Sequence, residues 1–337
     1  MIAESLLKYI NEIPKTELHL HIEGSFEPDM MFQMARRNNV EIKFKTVEEL
    51  RAAYEFGNLQ DFLDIYYEGA NVLLHEQDFY DLTFAYFLRC KKDNIVHTEI
   101  FVDPQTHSAR GIEIQTVING ITRAMNDAKA NFGISSYLIV CILRHLDEDS
   151  ALQMLEEILP YKDKIIGIGL DSSELGNPPI KFKNVFARAE QEGFRLVAHA
   201  GEEGPSDYIW EAFNELNVSR IDHGIRCMDD DELVVYLADN QIPLTVCPLS
   251  NLKLQVVSDL TQHPLKKMLD KGLLAMINSD DPAYFGGYVN ENFLQTAIAL
   301  NLSENDILKL AKNSFKASFL PDEDKASWIE KLDNFEI

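Results

Sequence analysis

The sequence predicts a (β/α)8 barrel of the TIM type, on three observations. Eight short segments rich in Val, Ile and Leu recur along the 337 residues. Most are separated by a stretch with helical periodicity, the alternation that builds a parallel sheet wrapped in helices. Histidines and carboxylates fall repeatedly at the C-terminal ends of those segments, the face on which such barrels carry their working residues.

Each element has its own warrant. The first strand is "TELHLH" at 16–21, where alternation sends His19 and His21 to one face. The long gap from Phe26 to Asn94 reads as an insertion of several helices after that strand, "EPDMMFQMARRN", "TVEELRAAY", "LQDFLDIYYEGANVLL" and "QDFYDLTFAYFLRCKKD", placed to cover the barrel mouth. Further strands follow at "IVHTEIFV" (95–102), "SYLIVCIL" (136–143), "IIGIGLD" (165–171), "FRLVAH" (194–199), "SRIDHG" (219–224), "IPLTVC" (242–247) and "LLAMINS" (273–279). Amphipathic segments such as "DDDELVVYLADN" and "HPLKKMLDKG" precede the seventh and eighth. After the eighth strand, "NFLQTAIALN", "ENDILKLAKNSFKASF" and "DEDKASWIEKLDNF" read as C-terminal helices, with Ser303 capping the second. No internal repeat, low-complexity tract or linker interrupts the pattern, so residues 1–337 read as one domain.

Charge narrows the partners. With 31 Lys+Arg against 55 Asp+Glu the formal net charge is −24, which repels polyphosphate backbones and argues against nucleic acid and anionic membranes. The opening "MIAESLLKYINEIPK" places Glu4 where a secretory signal carries basic residues, and no apolar run approaches membrane-spanning length. A cytoplasmic location is expected. The four cysteines, Cys90, Cys141, Cys227 and Cys247, include no C-x-x-C pair, so neither a disulfide framework nor a thiolate zinc site is indicated. They read as small buried residues.

The strand ends carry the chemistry. His19 and His21 end the first strand, His199 and Glu202 follow the fifth, His223 ends the sixth, and Asp280 and Asp281 follow the eighth. A lone strand-end histidine is usually packed or solvated, but this is a series. Three neutral imidazoles and one carboxylate suit zinc in a catalytic site with a position left for water, and His19, His21, His199 and Asp280 form that set. Zinc would lower the pKa of its water toward ~7 and so make hydroxide available as a nucleophile. Glu202 is near enough to reach a substrate atom beside the metal, His223 is placed to orient or deprotonate the water, and Asp281 to hydrogen-bond the substrate. Spacing alone does not rank Glu202 above its neighbour Glu203.

The motifs "ELHLHIEGS", "HAGE", "IDHG", "CPLSN" and "NSDDP", in this order and over nearly the whole chain, resemble the adenosine/adenine deaminase family of zinc hydrolases. The resemblance implies that His19, His21, His199 and Asp280 bind one zinc ion. It also implies that Glu202, rather than Glu203, gives a proton to the purine ring, that His223 is catalytic, and that Asp281 contacts the purine. "EIFVDPQTH", "GLDSSELGNPP", "CPLSNLKL" and "SDDPAYFGGYVNEN" are similar to the adenine deaminase branch. Two departures from the nucleoside branch stand out. Glu23 replaces an aspartate, a longer carboxylate that could occupy the volume of a ribose, and Ser172 aligns with a glycine that approaches the purine.

The implied reaction is hydrolytic deamination of a small purine base, adenine to hypoxanthine and ammonia, as in purine salvage. A modified adenine, substituted at N6 or oxidised at C8, is the runner-up substrate, and adenosine comes third. A non-catalytic purine-binding descendant would be expected to lack a ligand or the acid, and every assigned position is intact. Deaminases acting on bases in nucleic acids combine H-x-E with P-C-x-x-C, and only the first half occurs here, at His21 to Glu23. Among the other histidines, His75, His97, His145 and His263 read as surface or structural, and His107 falls near the barrel mouth.

Overall fold

A computed structural model describes residues 4–336. Eight strands form one parallel sheet in the order in which they occur: β1 Lys15–His21, β2 Ile95–Val102, β3 Ser135–Leu143, β4 Gly167–Asp171, β5 Arg195–Ala200, β6 Arg220–His223, β7 Pro243–Val246 and β8 Leu274–Ile277. All eight expected strands are present, with ends shifted by up to two residues. The last three are short, four residues each. The sheet closes just past β8, where Asp280 N–H donates to His19 O and His21 N–H donates to Asp280 O, each at 3.1 Å. This is the expected (β/α)8 barrel.

The insertion after β1 contains helices Pro28–Asn38, Val47–Ala52, Leu59–Ala70 and Glu76–Lys92, as the periodicity predicts. Asn58 caps the third of these by accepting the N–H of Asp61, which fixes where the helix over the barrel mouth begins. Helix Glu304–Ala317 starts at the expected cap. Ser303 Oγ accepts the Asp306 N–H, and the Asp306 carboxylate accepts the Ser303 N–H in return. That helix covers the closing seam from outside, where Asn313 Nδ2 donates to Ala275 O at 2.8 Å and Ser314 Oγ accepts the Thr16 N–H at 3.2 Å. All four cysteines are buried and unpaired. Among the described residues no helix is long and apolar enough to cross a membrane.

Strand alternation splits the core in two. Outward side chains pack against the helices, while Phe101, Ile139, Cys141 and Val197 fill part of the barrel interior. Beside that apolar plug lies a buried ion pair, Arg220 Nη1 to Glu99 Oε2, with the guanidinium 4.7 Å from the centre of the Phe319 ring and Nη2 donating to Leu18 O at 3.2 Å. Burial alone would push Glu99 upward, but Arg220 holds it below the usual carboxylate range. Removing the cation strands a buried charge. Arg220→Met should therefore cost about 3–5 kcal/mol of stability, read as a lower urea midpoint, and an unchanged midpoint would contradict this account of the interior.

Candidate active site

The polar residues collect at the C-terminal end of the barrel. His19 and His21 leave β1 on its inner side, His199 does so from β5, and Asp280 meets them across the seam. One ligand atom from each of these four residues lies within 4.8 Å of the other three. His21 Nε2 is 3.2 Å from His199 Nε2, His19 Nε2 is 3.2 Å from Asp280 Oδ1, and His21 Nε2 is 3.6 Å from the same oxygen.

The far sides of the rings assign the tautomers. Thr245 Oγ1 donates to Asp222 Oδ1 at 2.9 Å, so its oxygen is left to accept from His19 Nδ1, also at 2.9 Å. His21 Nδ1 faces Asp171 Oδ2 at 3.4 Å, and His199 Nδ1 faces Asp222 Oδ2 at 3.7 Å. His19 thus carries its proton outward, the outer nitrogens of the other two rings face carboxylates, and three Nε2 atoms and a carboxylate oxygen converge on one space. Acceptors crowded in this way repel one another unless a cation lies between them, and outward carboxylate partners are the usual support of metal-binding histidines. The donor set fits a metal. Burial pushes His21 down to about 4 and His199 well below its ordinary value, so both are neutral and ligand-ready. Burial pushes Asp280 upward, but His19 beside it holds it well below the usual carboxylate range, and Asp280 in turn raises His19 against the effect of its burial.

A cavity of about 40 Å³ adjoins this cluster, lined by His21, Asp103, Asp171, His199, Glu202, His223, Asp280 and Asp281. Leu59, Phe62, Leu63, Tyr66 and Tyr67 of helix Leu59–Ala70 close it from above, so the insertion does cover the mouth. A larger groove of about 790 Å³ opens at the other end of the barrel, beside Val96, Tyr137 and Trp328. It contains none of the clustered residues, and the chemistry belongs to the smaller space.

The sequence profile of the adenosine deaminase family matches residues 14–335. The chain belongs to the adenosine deaminase family. It is 58% identical over 327 residues to an adenine deaminase of Hahella chejuensis, covering 97% of this chain and 98% of that one. It is 57% identical over 323 residues to an adenine deaminase of Acinetobacter baylyi, covering 96% and 97%. The crystal structure of adenine deaminase from Arthrobacter aurescens matches with a TM-score of 0.94 at 49% identity, over 95% of this chain and 98% of that one. An amidohydrolase from Burkholderia ambifaria, solved with bound Zn, matches with a TM-score of 0.91 at 27% identity, over 99% and 94%.

Around the cluster of His19, His21, His199 and Asp280 the remaining predicted residues take distinct places. Glu202 lines the cavity, whereas Glu203 turns outward to accept the Leu59 N–H at 3.4 Å, a separation that spacing left open. Burial, and then the Asp280 charge, push Glu202 well above the usual carboxylate range. His223 Nε2 stands 3.6 Å from Glu202 Oε2 and 3.8 Å from Asp280 Oδ2, and burial takes it down to about 3, so it is a neutral base. Both His223 and Asp280 adopt left-handed backbone, φ 63° and 62°, strain of the kind found at functional sites. Asp281 is buried with Oδ1 unpartnered, and burial followed by the Asp280 charge raises it strongly. The glycine of "HIEGS" makes room for it, since a Cβ on Gly24 would lie 1.9 Å from Asp281 Oδ1.

Glu23 departs from the expectation. It is absent from the residues lining the cavity, and its Oε1 is held 2.7 Å from His107 Nε2. His107 is buried and in turn meets Arg110 Nη2 at 2.8 Å, so neither residue projects freely into a sugar's space. Asp103 and Asp171 line the cavity. Their Oδ1 atoms, like Glu23 Oε2 behind them, are buried without partners, and burial takes Asp171 up to about 7 and raises Asp103 strongly. Ser172 takes a left-handed conformation, φ 74°, where glycine is the easier residue, and its Oγ lies 3.0 Å from Tyr67 Oη and 2.8 Å from His145 Nδ1. Of the segments "EIFVDPQTH" and "SDDPAYFGGYVNEN", Asp103, Asp280, Asp281 and Phe285 reach the cavity. Asp222 carried a readable signal, an acidic residue beside His223 at the end of a strand, whereas Asp171 has no histidine near it in the sequence.

Metal loss separates ligands from bystanders. His199→Ala should purify with less than about a tenth of the wild-type metal, while His75→Ala, at the start of helix Glu76–Lys92, should keep it. Elemental analysis decides this, and equal metal in both variants would remove His199 from the set.

Proposed function

We propose that this chain hydrolyses adenine to hypoxanthine and ammonia, as one metal-dependent hydrolase domain with a single zinc ion held by His19, His21, His199 and Asp280. The observation that carries the reading is the meeting of that donor set with Glu202, His223 and Asp281 around one small cavity. The family match over residues 14–335 and the adenine deaminases at nearly sixty per cent identity support the substrate, and they favour neither a modified adenine nor adenosine. Zinc is supported by the Zn-bound relative and by the three-imidazole, one-carboxylate donor set.

When bound, zinc supplies a Lewis acid that brings the pKa of water toward ~7. The chain's own residues do the rest. Glu202, kept protonated by burial, gives its proton to N1 as C6 is attacked, so negative charge does not build up on the ring. His223, uncharged, orients the attacking water and accepts its proton. Asp281 carries a proton for the same reason as Glu202 and donates it in a hydrogen bond to N7, an acceptor in adenine. The C6–N bond breaks, and the two protons of water end on N1 and on ammonia. Glu202 is reprotonated in the process.

Specificity for the free base follows from the wall. Asp103 and Asp171 offer unpartnered carboxyl oxygens to a ring N–H, which adenosine lacks at N9.

Two measurements test the proposal. Glu202→Gln keeps shape but removes the proton, so zinc should remain while kcat falls by roughly 10²-fold or more, with Glu203→Gln mild by comparison. Equal losses in the two would overturn the assignment. Adenine should be preferred to adenosine by at least about 10²-fold in kcat/KM, and comparable turnover of both would end the base-specific reading.

A further inference from the structure

We propose that Glu174 is a positioning residue, which aims the proton donor Glu202 by gripping the backbone that carries it. The inference rests on the reading of Glu202 as donor. Glu202 itself is anchored by little. Its Oε1 is buried without a hydrogen-bond partner, and the His223 nitrogen near its Oε2 is 3.6 Å away, too far to hold it. A side chain so placed takes its aim from its own main chain.

That main chain is wrapped around one carboxylate. Glu174 Oε1 accepts the Gly201 N–H at 2.7 Å, and Oε2 accepts those of Glu202, Glu203 and Gly204 at 3.1, 2.9 and 2.8 Å. Four successive N–H groups converging on one anion make a nest, and each bond is charge-assisted. The loop is shaped for this contact, because a Cβ on Gly204 would lie 2.6 Å from Glu174 Oε1. Arg144, fully buried, braces both sides, donating through Nη1 to His199 O and through Nη2 to Asn177 O, each at 2.7 Å. Glu174 is 1% exposed and does not line the cavity, so it acts only through what it holds.

A double-mutant cycle on the zinc-loaded enzyme tests this. Glu174→Gln keeps the size but turns an amide N–H toward backbone donors, and it should lower kcat by roughly 10- to 100-fold with KM and zinc content unchanged. In a Glu202→Gln background the same change should cost less than about twofold, because no proton remains to be aimed. Glu174→Asp keeps the charge on a shorter arm and should recover part of kcat. If Glu174→Gln does not fold, as judged by circular dichroism, Glu174→Asp with and without Glu202→Gln makes the same comparison. An equal loss in both backgrounds, or loss of zinc on changing Glu174, overturns the proposal. Full activity in Glu202→Gln alone would instead overturn the donor reading beneath it, a result distinguishable from an additive pair.

Discussion

The structure depends on how carboxyl groups are buried together with few cations to match them. Glu23, Asp103, Asp171, Glu202, Asp280 and Asp281 are all buried at the C-terminal end of the barrel, and their mutual repulsion has two outlets. Asp280 is drawn low by His19 beside it, against the effect of burial. Glu202, Asp281 and Asp103 are driven the other way, by burial first and by neighbouring carboxylates second. The same crowding thus separates the proposed ligand from the proposed proton donors, the division that deamination of a purine ring requires.

Barrel closure and the proposed metal site share one feature of the fold. The hydrogen bonds that join the first and last strands run between His19, His21 and Asp280, so the seam that completes the barrel also places three of the four proposed ligands. His199 enters from β5 on the far side, and Asp222 beneath it faces both His199 and, through Thr245, His19. A disturbance of the seam would be felt at the metal cluster before it was felt in the helical shell.

Much of this was legible in the sequence, for physical reasons. Alternation along "TELHLH" required His19 and His21 to share a face, and strand-end placement required the other polar residues to meet them. The order of eight strands followed from the regular return of short apolar segments. What spacing could not give were contacts between distant residues, such as Thr245 beneath His19, 226 positions away, or the distinction between Glu202 and Glu203. The direction taken by Glu23 was illegible for the same reason, since it depends on His107 being buried 84 positions later in the chain. Glu174 gave no signal of its own, because its partners are backbone groups, which every sequence possesses.

The central claim is that one metal ion sits among four named atoms. Anomalous diffraction at the zinc edge from crystals of active enzyme tests it most directly. The account predicts a single peak about 2.0–2.2 Å from His19 Nε2, His21 Nε2, His199 Nε2 and an Asp280 carboxylate oxygen. A peak elsewhere, or no peak in crystals that still turn over adenine, would contradict it.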